Sequence, residues 1–352
     1  MTTKNESYRV LEELYIDSPI IRMEPGQKYL IISDLHLGNG TASDDFRRNG
    51  ELTLRVLEEY RNKGFFLILN GDIEEILRFE LKDIQERWHR FYQLLADFRT
   101  GPGLIKIVGN HDIDLLDFPD NPWPVQESLR LVHGDDTIFV FHGHQMSRRL
   151  RRPNPFITFI LRYIATPLRI KNYSVSADSA RKFKLEQIIF RFSASQRILS
   201  VIGHTHRPLF ESMSKIDSLR FEIEQLCLVY NDVTVERKRD IERRISFLKE
   251  ELTRLLEKDD RLDQRSSLYD SNLVVPCLFN SGTAIGKSGI TCIEIQEGTI
   301  RLIHWFDLTR NSGYLQRSNQ SLERLAGSDY FRVVIKEDGL DKIFSRIRLL
   351  GG

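Results

Sequence analysis

The chain is poor in cysteine. Cys227, Cys277 and Cys292 are an odd number without zinc-ribbon spacing. That excludes a disulfide scaffold and a thiolate metal site, and leaves free thiols in a reducing compartment. Long apolar runs are also missing. None reaches the roughly 18 uncharged residues of a spanning helix, and the nearest, Pro155 to Leu161, is far shorter. Met1 to Ser7 holds no apolar stretch of the kind that heads a secretion signal, so a cytoplasmic protein is expected. Nor does one charge prevail: 51 Lys and Arg stand against 50 Asp and Glu, a net +1. This argues against a globally basic nucleic-acid binder and leaves room only for local patches. What is present is 41% hydrophobic residues in 352, enough for a sizeable core, and nine histidines that carry most of the information.

Five short apolar runs each end in a polar cluster. Lys28 to Ser33 leads into Asp34-Leu35-His36, and Phe65 to Leu69 into Asn70-Gly71-Asp72. Leu104 to Val108 leads into Gly109-Asn110-His111-Asp112, Thr137 to Phe141 into His142-Gly143-His144, and Ile198 to Ile202 into Gly203-His204-Thr205-His206. The runs read as buried strands. Segments of helical spacing, such as Leu52 to Tyr60 and Ile84 to Phe98, lie between them. In layered α/β folds ligands gather at the carboxyl ends of strands, so the pattern points to one site built from five loops. Two further strands are expected over Gly289 to Ile295 and Thr299 to Phe306, around the turn Gln296-Glu297-Gly298.

The expected organisation is an N-terminal extension over 1–26, a core formed by 27–144, 198–210 and 271–309, two insertions, and a mixed polar tail over 310–352. The first insertion, 145–197, opens with six arginines, one lysine and no acid between Gln145 and Asn172, interleaved with Phe156, Ile157, Phe159, Ile160, Leu161, Tyr163 and Ile164. This is a basic amphipathic cap suited to peripheral contact with the inner face of a membrane through 145–172. In the second, 211–270, Ile241, Ile245, Leu248, Leu252 and Leu255 form a short heptad seam, with similar spacing from Leu219 to Val233. A helical hairpin packed on the core, or a coiled coil that makes a homodimer, would each satisfy it.

Taken together, two carboxylates, one amide oxygen and four imidazoles on five strand ends form a nitrogen and oxygen donor set. Such a set suits Mn²⁺, Fe or Zn²⁺. An Asp able to bridge would hold two ions about 3.5–4 Å apart, the separation of two-metal hydrolases. These five blocks, in this order, resemble those of the calcineurin-like metallophosphoesterases. The resemblance implies a four-layer αββα sandwich and two divalent metal ions, Mn²⁺ foremost. It implies Asp34, His36 and His206 on one ion, Asn110, His142 and His204 on the other, and Asp72 on both. His111 would be the acid beside the leaving-group oxygen, its partner being Asp34 or another loop carboxylate. A hydroxide between two dications, formed near neutral pH, can attack phosphorus in line with that oxygen. His144 has three open readings: a substrate contact, a donor behind a ligand, or an exposed side chain. Glu74 and Glu75 suit the N-terminus of a helix at least as well as catalysis.

The substrate expected is a phosphorylated small molecule or a lipid-linked phosphate, as phosphoester or pyrophosphate. Arg148, Arg149, Arg152 and Arg207, with His144, are the candidate contacts, since guanidinium forks match phosphate and the cap's apolar residues match acyl chains. The cap, followed by Gly203-His204-Thr205-His206-Arg207-Pro208, resembles the UDP-2,3-diacylglucosamine hydrolases. Those enzymes have Arg where this chain has His111, and Asp where it has His144. A nuclease of the same fold and a non-catalytic scaffold are the competing classes. The absence of an aromatic-interleaved basic groove argues against the first, and the complete donor set against the second.

Overall fold

A computed structural model describes residues 4–118, 123–146, 179–212, 235–258, 275–287, 289–310 and 322–352, with isolated positions between 219 and 230. In chain order its elements are α1 (Lys4–Asp17), β1 (Ile20–Arg22), β2 (Lys28–Ile32), α2 (Gly50–Asn62), β3 (Phe65–Asn70), α3 (Leu81–Arg87), α4 (His89–Thr100), β4 (Leu104–Ile107), β5 (Val125–Gln126), β6 (Ser128–His133) and β7 (Asp136–Phe141). There follow α5 (Ser179–Gln196), β8 (Leu199–Ile202), α6 (Val235–Lys258), β9 (Leu278–Asn280), β10 (Ile290–Gln296), β11 (Thr299–Asp307), β12 (Leu322–Arg324), β13 (Tyr330–Gly339) and α7 (Leu340–Leu350).

Two sheets result. The larger has the order β12-β13-β11-β10-β2-β3-β4-β5, with β2 to β5 parallel and the remainder antiparallel. The smaller has the order β1-β6-β7-β8-β9, in which only β6 and β7 are antiparallel. Successive side chains of a strand face opposite ways, and the burial follows that rule. Tyr29 and Ile31 of β2 join Ile138, Val140, Leu199 and Val201 of the smaller sheet in the core between the sheets. Leu30 and Ile32 face outward and pack with Leu57 of α2 and Phe91, Leu95 and Phe98 of α4. On the far side, Phe139 and Phe141 of β7 pack with Leu11 of α1 and Ile189 and Phe192 of α5. The layers are therefore helix, sheet, sheet, helix, an α/β four-layer αββα sandwich. Each buried Leu, Ile or Phe contributes about 1.5–3 kcal/mol.

Several expected boundaries shift. The described part of the expected polar tail, residues 322–352, is part of the sandwich: β13 pairs with β11, and α7 buries Leu340, Ile343, Phe344 and Ile347 in the core between the sheets. The cap's far end belongs to the sandwich, because α5 is the crossover helix between the parallel strands β7 and β8 and packs on their outer face. The 1–26 segment supplies α1 and the edge strand β1. The helix expected at Glu74 begins only at Leu81, and the one expected over 84–98 is broken at Trp88 into α3 and α4. Of the second insertion, α6 is a single helix with Ile241 and Leu248 buried. The Tyr230 hydroxyl hydrogen-bonds Glu242 of α6. Of the 219–233 arm only isolated positions are described, Leu219 among them and buried, and residues 147–178 with Arg148, Arg149 and Arg152 lie outside the described residues. Among the described residues no helix is long and apolar enough to cross a membrane.

Candidate metal centre

All five polar clusters emerge from the carboxyl ends of parallel strands, β2, β3 and β4 in the larger sheet and β7 and β8 in the smaller. The loops are locked together by their own main chain. Asp34 N–H bonds Gly71 O at 3.0 Å, His36 N–H bonds Asp72 O at 3.0 Å, and Gly203 N–H bonds His142 O at 3.1 Å. Two glycines are required by close approach. A Cβ on Gly109 would fall 2.1 Å from Asp72 Oδ1, and one on Gly203 would fall 2.6 Å from Ser33 Oγ and 2.7 Å from Asp34 Oδ2. Asp112 ties two loops together, its Oδ2 accepting Ile73 N–H at 2.6 Å and its Oδ1 Gly109 N–H at 2.5 Å. It therefore holds the loops through their main chain.

Six of the seven expected ligands converge. Asp34, His36, Asp72 and His206 offer donor atoms all within 4.8 Å of one another, as do Asp72, His142 and His204. Asp72 belongs to both groups. Its Oδ2 is 3.1 Å from His142 Nε2 and 3.8 Å from His36 Nε2, and Asp34 Oδ1 is 3.1 Å from His206 Nε2. Tautomers follow from the outer bonds. His142 Nδ1 donates to Asn70 O at 2.8 Å and His36 Nδ1 to Glu75 Oε2 at 2.9 Å, which turns a lone pair on each Nε2 inward. His36 Nε2 stands 3.2 Å from His206 Nε2, and His142 Nε2 faces a carboxylate oxygen. A metal ion, or a proton carried on one of the two atoms, makes each of these contacts favourable. Asn110 Oδ1, His142 Nε2 and His204 Nε2 are moreover buried without a hydrogen-bond partner, which is costly for acceptors that have no other function. The donor set fits divalent metal.

The electrostatics agree. Burial would depress the His142 imidazolium, but the Asp72 and Asp34 carboxylates outweigh it and raise its pKa to about 9, so the pocket attracts positive charge. Burial and the neighbouring His142 push His204 down to about 3, keeping it in the neutral form that ligates.

A third group, His36, Glu75 and His111, is equally compact. Hydrogen bonds already account for it: one Glu75 oxygen accepts from His36 Nδ1 at 2.9 Å and the other from His111 Nδ1 at 2.8 Å. Burial penalises the His111 cation, yet Glu75 and Asp72 raise its pKa to about 10. Burial likewise opposes the Glu75 anion, but His111 and His36 hold it well below the usual carboxylate range. Glu75 is thus the partner His111 needs. The sequence carries one signal for it, a carboxylate three residues beyond Asp72, which a helix N-terminus would explain at least as well. Glu74 turns the other way, to buried Lys106 at 2.5 Å and to Tyr92 OH at 3.0 Å.

Two expected substrate contacts are placed differently. His144 is fully buried, its ring 5.5 Å from that of His142, so the exposed reading is wrong. Arg207 is turned back onto the buried carboxylate of Glu186 in α5.

Residues 27–233, more than half of the chain, match the family described as calcineurin-like phosphoesterase. No curated protein matches the chain. With all five blocks assembled on strand ends of an αββα sandwich, the chain belongs to the calcineurin-like phosphoesterase family.

Proposed function

We propose that this protein is a two-metal phosphohydrolase. Asp34, His36 and His206 hold one divalent ion, Asn110, His142 and His204 hold the second, and Asp72 holds both. One observation carries the reading: the Asp72 carboxylate lies within reach of both donor groups, fully buried, beside ring nitrogens whose lone pairs face inward. When bound, two such ions supply Lewis acidity to a phosphoryl group and a nucleophilic water ionised near neutral pH. Mn²⁺ suits the mixed nitrogen and oxygen donors, as do Fe and Zn²⁺.

The chain's own groups do the rest. Asp72 Oδ1 accepts the His111 N–H at 2.8 Å, which places the His111 ring beside the centre. Glu75 keeps that ring protonated, so His111 can donate a proton to the departing oxygen as it gains charge. The same Glu75 orients His36, so acid and ligand share one support. The substrate proposed is a phosphoester or pyrophosphate on a small molecule or a lipid. Its support is the sequence of 145–172, with Arg148, Arg149 and Arg152 among apolar side chains.

The test is metal content alongside turnover on phosphomonoesters, phosphodiesters and nucleotide-linked lipids, with Mn²⁺ supplied. The parent protein should carry two ions per chain. Asp72→Asn should lose both, with turnover falling to background. Near-normal activity in that variant overturns the shared role of Asp72.

A further inference from the structure

The Gly203 to Arg207 loop is braced from outside the centre by a fully buried acid, Glu186, on α5. Thr205, between His204 and His206, donates its Oγ1 hydrogen to Glu186 Oε1 at 2.8 Å. The same hydroxyl accepts from Asn280 Nδ2 at 2.9 Å, and Asn280 Nδ2 also reaches Gly203 O at 3.0 Å. Arg207 closes the arrangement with its Nε and a terminal nitrogen on the two Glu186 oxygens. Glu186 itself is rigidly mounted. Ile189 and Phe192, further along α5, are buried against Phe139, Phe141, Ile202 and Leu278, and Ser193 Oγ bonds Ser200 Oγ at 2.7 Å.

This brace matters because the loop is strained. His204 and His206 have φ of 65° and 55°, in the left-handed region that costs a non-glycine residue about 1 kcal/mol or more. Thr205 lies between them with its side chain directed away from the donors, toward α5. A carboxylate that accepts from Thr205 and from Arg207 at once holds both residues that flank His206. We propose that Glu186 is a positioning residue that acts through Thr205 and Arg207 to present His204 and His206 to metal. The inference rests on the two-metal reading. It assigns Arg207 to this internal brace in place of the substrate contact expected from sequence.

The test titrates the metal-free full chain with Mn²⁺ and follows thermal melting of each variant. Thr205→Val removes the hydroxyl at constant volume, and Thr205→Ser keeps it. Removing support behind a ligand weakens metal binding by about 10- to 100-fold. We expect that loss in Thr205→Val and in Glu186→Ala, native affinity in Thr205→Ser, and no further loss in the Glu186→Ala/Thr205→Val double variant, since the two act as one unit. Thr205→Val should melt within a few degrees of the parent, so the loss reads as misplacement of ligands. Native Mn²⁺ affinity in Thr205→Val, or fully additive losses in the double variant, overturns the inference alone. A parent chain that takes up no Mn²⁺ overturns the metal centre and this inference with it.

Discussion

Five of the seven residues assigned to metal hold backbone that their side chains disfavour: Asp34, His36, Asp72, His204 and His206 all lie at φ between 50° and 65°. Two of these pairs alternate, Asp34 with His36 and His204 with His206. The kinked backbone at each turns donors inward that a regular strand would send along its own faces. Such strain persists where surrounding structure over-determines it, and here hydrogen bonds between loops do so. At this scale the roles of Glu75 and His111 can be separated. His111→Ala should keep two ions and slow hydrolysis of poor leaving groups by about 10²–10⁴-fold, with much less effect on good ones. Glu75→Gln should show that same leaving-group dependence and also bind metal about 10–100-fold more weakly, because His36 loses its orienting acceptor. Metal content together with a leaving-group series checks both. Equal slowing on all leaving groups in His111→Ala would remove it as the acid. Unchanged metal affinity in Glu75→Gln would confine that carboxylate to His111.

Among the elements, α7 is the most informative, since it lies far from the chemistry. It closes the opposite end of the sandwich: Leu340 N–H bonds Gly298 O in the β10–β11 turn, and Arg348 pairs with Asp136 at the start of β7. Phe344→Ala should cost about 3–5 kcal/mol of stability in urea unfolding, while turnover per folded molecule stays at the parent value. A fall in turnover at full folding would show that the two ends are coupled. The same region shows what sequence conceals. The five cluster-bearing strands were legible because a buried run stops abruptly at polar residues, and their clusters name the site. β13, reading Tyr330–Gly339, was not, because its charges look solvated until their partners appear. Arg332 pairs with Glu294 and Lys336 with Glu211, both remote in sequence and both acids buried. Glu186 was hidden likewise, as one acid in a basic stretch. The spacing of Leu340, Ile343, Phe344 and Ile347 carries a helical signal that the tail's polar composition masks. Sequence leaves Glu75 open between a helix-terminal charge and a catalytic group, because both of its partners lie more than 30 residues away.

At the scale of the whole molecule, the centre lies across the junction of the two sheets. Asp34, His36, Asp72 and Asn110 follow strands of the eight-stranded sheet, while His142, His204 and His206 follow strands of the five-stranded one. Each proposed ion takes ligands from both, His206 joining Asp34 and His36, and Asn110 joining His142 and His204. Metal would therefore cross-link the sheets at the site end, while the apolar core and α7 hold the other end without it. A ligand that binds only the native state stabilises it by mass action, about 2.7 kcal/mol for one site at a hundred times its dissociation constant. Stripping metal with a chelator should lower the melting temperature by several degrees, and added Mn²⁺ should restore it in a concentration-dependent way. The distribution of the effect is the sharper test. On metal removal, amide hydrogen exchange should quicken together in the loops after β2, β3, β7 and β8, and remain unchanged in α7 and in the β10–β11 hairpin. Faster exchange confined to the loops of one sheet would mean that the ligands of that sheet hold metal alone, and the shared centre across the sandwich would have to be abandoned.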